Sequence, residues 1–300
     1  MLYPSPVRCV CTETVRGGSS RNGWNLPAVP LSKIQTEVLR IIARHRDPQS
    51  YVAGATPLNR EMPRFSQDID LFNDREERVE AAAEEDTVAL RAAGYQVSWL
   101  RRLAMIFTAA VEKDGDVTRL EWVVDSDYRY FPTVRDDQFG FMLHPVDLAL
   151  NKMMAAAGRR EVRDIVDLAT IHEKILPLGA LVWAGVEKFP GFTPEGLIGQ
   201  IRRNLHHPRE EWDRLASTEP IDPDRILARV RAALDEAEEF VARMPTSRFG
   251  ALFIKDGEVV QPDPERLDDY QEHHGHRGGQ WPSDPEIMRA MLERYNDSAK

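Results

Sequence analysis

The sequence predicts an α+β protein: a small mixed sheet with flanking helices, followed by a helical domain. Three observations predict it. Short apolar runs with strand-like alternation are confined to the part of the chain before about residue 143, and helix-period segments dominate after Pro145. An Asp-Gly pair separates two of the alternating runs, the local signature of an antiparallel hairpin. A length of 300 residues also exceeds what one small core organises, so more than one structural unit is expected.

Residues 1–30 are rich in Gly, Ser and Pro without a sustained period and read as an irregular arm. Cys9 and Cys11 stand too close together in it for a disulfide framework or a four-ligand zinc site. LSKIQTEVLRIIARHR (31–46) has apolar residues at 31, 34, 38, 41 and 42, which is one helical face, and Asp47-Pro48 closes it. YVAGA (51–55) reads as a buried strand entering a turn at glycine, and DIDLF (68–72) as the next strand. A charged helix over 74–94 stops at Gly94. Three strands follow in YQVSWLRR, AMIFTAAVE and VTRLEWVVD, the last two joined at Asp114-Gly115. These elements form a core domain expected over 31–143. A helical domain over 144–245 begins at Pro145 and contains a second helix start at Asp222-Pro223. Residues 246–300 read as a small hairpin around ALFIKDGEVVQP and a polar tail containing HHGHRGG.

Composition narrows the function. No run approaches the roughly 18 apolar residues of a membrane span, and the first residues lack the apolar core of an export signal, so a cytoplasmic protein without a membrane partner is expected. A net charge of −10 argues against a protein that coats nucleic acid. Local basic clusters, GRREVR (158–163) and IRRNLHHPR (201–209), remain the places for polyanion contact or for ordinary solvated helix faces.

The chemistry concentrates in RFSQDIDLF (64–72). On a strand, Asp68 and Asp70 share one face while Ile69 and Leu71 share the other. Two carboxylates side by side repel, and need a cation, a shared proton or free access to water. Glu121 lies mid-strand in VTRLEWVVD with Arg119 on its own face. A third carboxylate from a neighbouring strand makes an oxygen cage of the kind hard divalent cations prefer. The turn Gly54-Ala55-Thr56 places open backbone N–H groups and a hydroxyl where a triphosphate can be held.

The run YVAGATPLNREMPRFSQDIDLF resembles the core shared by polymerase-β-type nucleotidyltransferases, and most closely the AbiEii/AbiGii toxin family. Arg64, Ser66, Asp68 and Asp70 match that family's R-x-S-x-D-I-D element, and Lys152, Arg159, Arg163, Asp164 and Asp167 fall on its later motif. Ala55 stands where the family usually has a second glycine. The resemblance implies a polymerase-β-type core that moves an NMP from an NTP to an acceptor hydroxyl with Mg²⁺ or Mn²⁺. Asp68, Asp70 and Glu121 would be the catalytic metal ligands. Gly54, Thr56, Arg64, Ser66, Lys152, Asp164 and Asp167 would bind the nucleotide. It also implies the toxin of a bacterial toxin/antitoxin or phage-defence system, with a tRNA 3′ end or a protein as acceptor and a cognate antitoxin as partner. A member that binds nucleotide or a partner without turnover is the second reading, motivated by Ala55.

Overall fold

The structure, a computed structural model, describes residues 31–58, 64–66, 68–217 and 220–296. The expected N-terminal arm, with Cys9 and Cys11, lies outside these residues. Local signals explain most elements. Ser32 and Gln35 form a capping box at helix α1 (Lys33–Ile42). Strand β1 (Ser50–Ala53) turns at Gly54 into the single-turn helix α2 (Ala55–Leu58). Strand β2 (Asp68–Asn73) and helix α3 (Glu76–Ala92) come next. They are followed by β3 (Gln96–Leu103), β4 (Ile106–Lys113) and β5 (Asp116–Val124). Asp114 and Gly115 between β4 and β5 have φ of 54° and 87°, as a two-residue hairpin turn of matching twist requires. Short strands β6 (Tyr128–Arg129), β7 (Val134–Asp136) and β8 (Gly140–Met142) complete this part.

Six helices then run in succession: α4 (Pro145–Gly158), α5 (Val162–Lys174), α6 (Leu178–Lys188), α7 (Pro194–Arg203), α8 (Arg209–Asp213) and α9 (Pro223–Arg243). The chain ends in β9 (Leu252–Lys255), β10 (Glu258–Val260), β11 (Gln271–His273), β12 (His276–Arg277) and α10 (Pro285–Asn296).

The main sheet has seven strands in the order β3-β4-β5-β2-β1-β8-β7. It is mixed: β2 runs antiparallel to β1 and parallel to β5. Ile69 and Leu71 of β2 are fully buried and pack with Val52, Leu120, Trp122 and the helix residues Val38 and Val79. Burying each such side chain stabilises by roughly 1.5–3 kcal/mol, which fixes which face of β2 turns inward. Asp68 and Asp70 therefore point the other way, toward the helices that follow. Behind the sheet, buried Asp86 of α3 accepts both Arg46 Nη2 contacts, at 2.9 and 2.8 Å, and Trp122 Nε1 at 2.8 Å, tying α3 to α1's end and to β5. The second apolar cluster is built mainly from α4 to α9, with Trp183, Leu181 and Phe240 among its members.

Two expectations change. The helical run after Pro145 is interrupted between Gly158 and Val162, because Arg159 leaves helical geometry at φ −145° and ψ 161°. The expected polar tail is also structured. β11 adds to β9, and β12 pairs with β6. His273 is buried, with Nε2 2.8 Å from the Tyr130 carbonyl and its ring stacked on Phe131. No short-range pattern announces a segment whose partners lie more than a hundred residues earlier.

Candidate active site

The site begins with strand register. Asp70 is paired with Ala53 of β1 on one side and Glu121 of β5 on the other, and Asp68 is paired with Arg119. The three predicted carboxylates thus line one cleft of about 370 Å³. Burial, followed by the nearby charges of Glu121 and Asp68, pushes the Asp70 carboxyl up to about 6, while Lys152 and Arg163 pull the other way.

Gly54 makes this arrangement possible. Its φ is +65°, and a Cβ there would lie 1.8 Å from Asp70 Oδ2. Ala55 follows on the cleft wall at the start of α2. Thr56 is fully buried and does not line the cleft. Its hydroxyl donates to the Asp68 carbonyl at 2.9 Å, and Ser66 Oγ donates to the same carbonyl at 2.8 Å. Both hydroxyls hold the backbone of the D-x-D in place. Replacing Thr56 by valine is expected to cost about 1–2 kcal/mol, since it removes a buried hydrogen bond and orphans part of a carbonyl. Urea denaturation checks this.

The opposite wall comes from the helices. Leu148, Asn151, Lys152 and Ala155 of α4 face the cleft, with Arg159 and Arg163 beyond them. The spacing of three and four is one helical face. Lys152 Nζ lies 3.1 Å from Asp164 Oδ1 and 3.0 Å from Asp167 Oδ2. Arg159 Nε donates to Asp164 Oδ2 at 2.7 Å. Arg64, 3 % exposed, grips Asp167 with Nε and Nη2. Asp164 and Asp167 are fully buried behind this wall and do not line the cleft. Burial opposes their charge, but Arg159 with Lys152 at Asp164, and Lys152 with Arg64 at Asp167, hold both below the usual carboxylate range. They hold Lys152, Arg159 and Arg64 in place behind the cleft. Arg64's segment is itself stitched to the helical part, with Phe65 N donating to the Ala216 carbonyl at 3.0 Å.

The first basic cluster divides, and one of its arginines reaches the second cluster. Arg159 and Arg163 reach the cleft, whereas Arg160 turns to the His206 carbonyl and Glu211. Arg202 pairs with Asp235 and Glu238, and Arg209 with Asp213. Sequence reasoning missed Asn151 and the apolar floor of Phe72, Ile106, Val123 and Leu148. The helical spacing of Asn151 with Leu148 and Ala155 was the available signal.

A carboxylate row facing a cationic wall across one cleft suits a phosphorylated substrate. Comparison with known proteins agrees. The profile of the family described as nucleotidyl transferase AbiEii toxin, type IV TA system, matches residues 39–243. The chain belongs to this family. As an AbiEii-family nucleotidyltransferase it uses an NTP and transfers a nucleotidyl group. MenT4, a nucleotidyltransferase toxin from Mycobacterium tuberculosis H37Rv, shares the fold at a TM-score of 0.52 and 16 % identity, over 69 % of this chain and 82 % of that one. The RNA terminal uridylyl transferase Cid1 aligns at a TM-score of 0.28 and 10 % identity, over 88 % of this chain and 86 % of its own. A search of curated proteins finds no match. Among the described residues, no helix of this AbiEii-family chain is long and apolar enough to cross a membrane.

Proposed function

We propose that this nucleotidyltransferase moves an NMP from an NTP to an acceptor hydroxyl in a divalent-metal-dependent reaction, and that it acts as the toxin of a bacterial toxin/antitoxin pair. The observation that carries this reading is the placement of Asp68, Asp70 and Glu121 opposite Lys152, Arg159 and Arg163 across one cleft.

The donor set fits a metal. All three groups are carboxylates, the ligands hard cations prefer, and burial together with the neighbouring charges of Glu121 and Asp68 disfavours the ionised Asp70 in the metal-free protein. Asp68 and Asp70, with Glu121, would hold Mg²⁺ or Mn²⁺. When bound, the ion supplies neutralisation of the phosphoryl oxygens. Lys152, Arg159 and Arg163 bind the β- and γ-phosphates as fixed charges, and the N–H groups after Gly54 face the same phosphates. Asn151 and the floor of Phe72, Ile106, Val123 and Leu148 offer a polar and an apolar surface to the nucleoside. Glu121 stands on the side from which β4 and β3 extend, and takes the proton of the acceptor hydroxyl there. The acceptor oxygen forms a bond to the α-phosphorus, the bond from that phosphorus to the bridging oxygen breaks, and pyrophosphate leaves with the bonding pair. Most of the catalytic effect is positioning and charge neutralisation.

The acceptor is proposed to be a tRNA 3′ end, with a protein hydroxyl as the alternative. Pyrophosphate release from each of the four NTPs, with Mg²⁺ and either total tRNA or a bacterial lysate as acceptor, tests both. Release that needs Mg²⁺ and labelled tRNA as product supports the reading. NTP binding without release under any of these conditions would support the non-catalytic member that Ala55 suggests.

A further inference from the structure

Among the described residues, one cation touches the carboxylate row directly. Arg119 Nη2 lies 2.5 Å from Asp68 Oδ2. Lys152 and Arg159, across the cleft, are committed to Asp164 and Asp167. No three acidic or histidine side chains among the described residues converge into a ready-made metal cage. The strand register that brings Asp70 against Glu121 brings Asp68 against Arg119.

We propose that Arg119 is a built-in counter-cation that competes with the divalent ion for Asp68, so that the metal set closes only when Arg119 leaves. This inference rests on reading Asp68, Asp70 and Glu121 as the metal ligands. Three features support it. The Asp68 carbonyl is pinned by Thr56 and Ser66, so its carboxylate changes partner by side-chain rotation with the backbone held. The Arg119 side chain is 47 % exposed while that of Asp68 is 14 % exposed, so the arginine is the partner with room to move. Its other strand neighbour is Ala110, whose methyl leaves the sheet face open beside the guanidinium. Arg119 thereby relieves repulsion along the acid row in the metal-free protein and weakens metal binding by the same interaction. On release it stays beside Glu121, two residues along the strand, as a positioning residue.

Mn²⁺ binding in the absence of nucleotide, followed by the paramagnetic resonance of the free ion, tests this on the full chain. The proteins are the native form, Asp70→Asn, Arg119→Gln and Arg119→Lys, with melting curves confirming that each is folded. Arg119→Gln is expected to bind Mn²⁺ about three- to tenfold more tightly than native, the scale of one partly exposed ion pair plus a removed like charge. Arg119→Lys keeps the charge and stays near native, and Asp70→Asn binds more weakly. A merely structural Arg119 would give equal or weaker binding in the glutamine variant. That result, with Asp70→Asn still weakened, overturns the counter-cation and leaves the metal site standing. Undiminished binding by Asp70→Asn overturns both.

Discussion

Replacing Asp70 by asparagine is expected to abolish nucleotidyl transfer and, at the same time, to make the metal-free protein more stable. Asparagine keeps the shape beside Gly54 but removes the charge at the centre of the row. The expected loss in rate is on the order of 10³-fold, the scale of one preorganised charge at a reacting centre. The gain in stability follows from linkage. The folded Asp70 titrates at about 6 against an ordinary value of 3.8, so the folded state holds this proton more tightly than the unfolded chain does. Its stability therefore falls as pH rises from about 4 through about 6, and above 6 the ionised carboxylate costs on the order of 1–3 kcal/mol. The variant lacks that cost. Thermal melting in a chelator at pH 8 should show a raised Tm, and a Tm equal to or below native would contradict the repulsion.

Asp167→Ala is expected to have the largest effect on stability, about 3–5 kcal/mol. Asp167 is fully buried and is the shared counter-ion of Arg64 and Lys152, which are 3 % and 7 % exposed. Removing it strands the buried Arg64 and leaves the buried Lys152 with Asp164 as its one carboxylate partner. It also frees the arginine that ties the R-x-S segment to α5, so the carboxylates and the cationic wall lose their common anchor. Denaturant unfolding measures the loss. Asp167's carboxyl is held low, so its stabilisation is full above pH 3.8 and disappears as pH falls through its folded value. The gap between native and variant should accordingly close in strong acid. Pairing Asp167→Leu with Arg64→Met should cost less than the sum of the single changes, because one change removes the charge that the other would leave unpaired.

Much of the cleft was legible before any coordinates. The alternation of Asp68 and Asp70 with Ile69 and Leu71 dictates which face is wet, because burying the aliphatic pair outweighs other registers. Asp114-Gly115 dictates the β4–β5 hairpin, since only such a pair adopts two positive φ values cheaply. Pro145 and Asp222-Pro223 dictate two helix starts through their lost or capped N–H groups. Tertiary structure alone decided the division of labour. Thr56, Asp164 and Asp167 belong to the same motifs as Ser66 and Lys152, yet the packed structure turns the first three inward as struts and leaves the other two on the cleft wall. The pairing of Arg119 with Asp68 depends on a parallel register between strands fifty residues apart. The strands and helix after residue 270 depend on surfaces made by Tyr128, Phe131 and His144. Local sequence determines propensity and facing within one element. Which charge meets which, and which hydroxyl holds a carbonyl instead of a phosphate, is settled by the packing of elements distant in the chain.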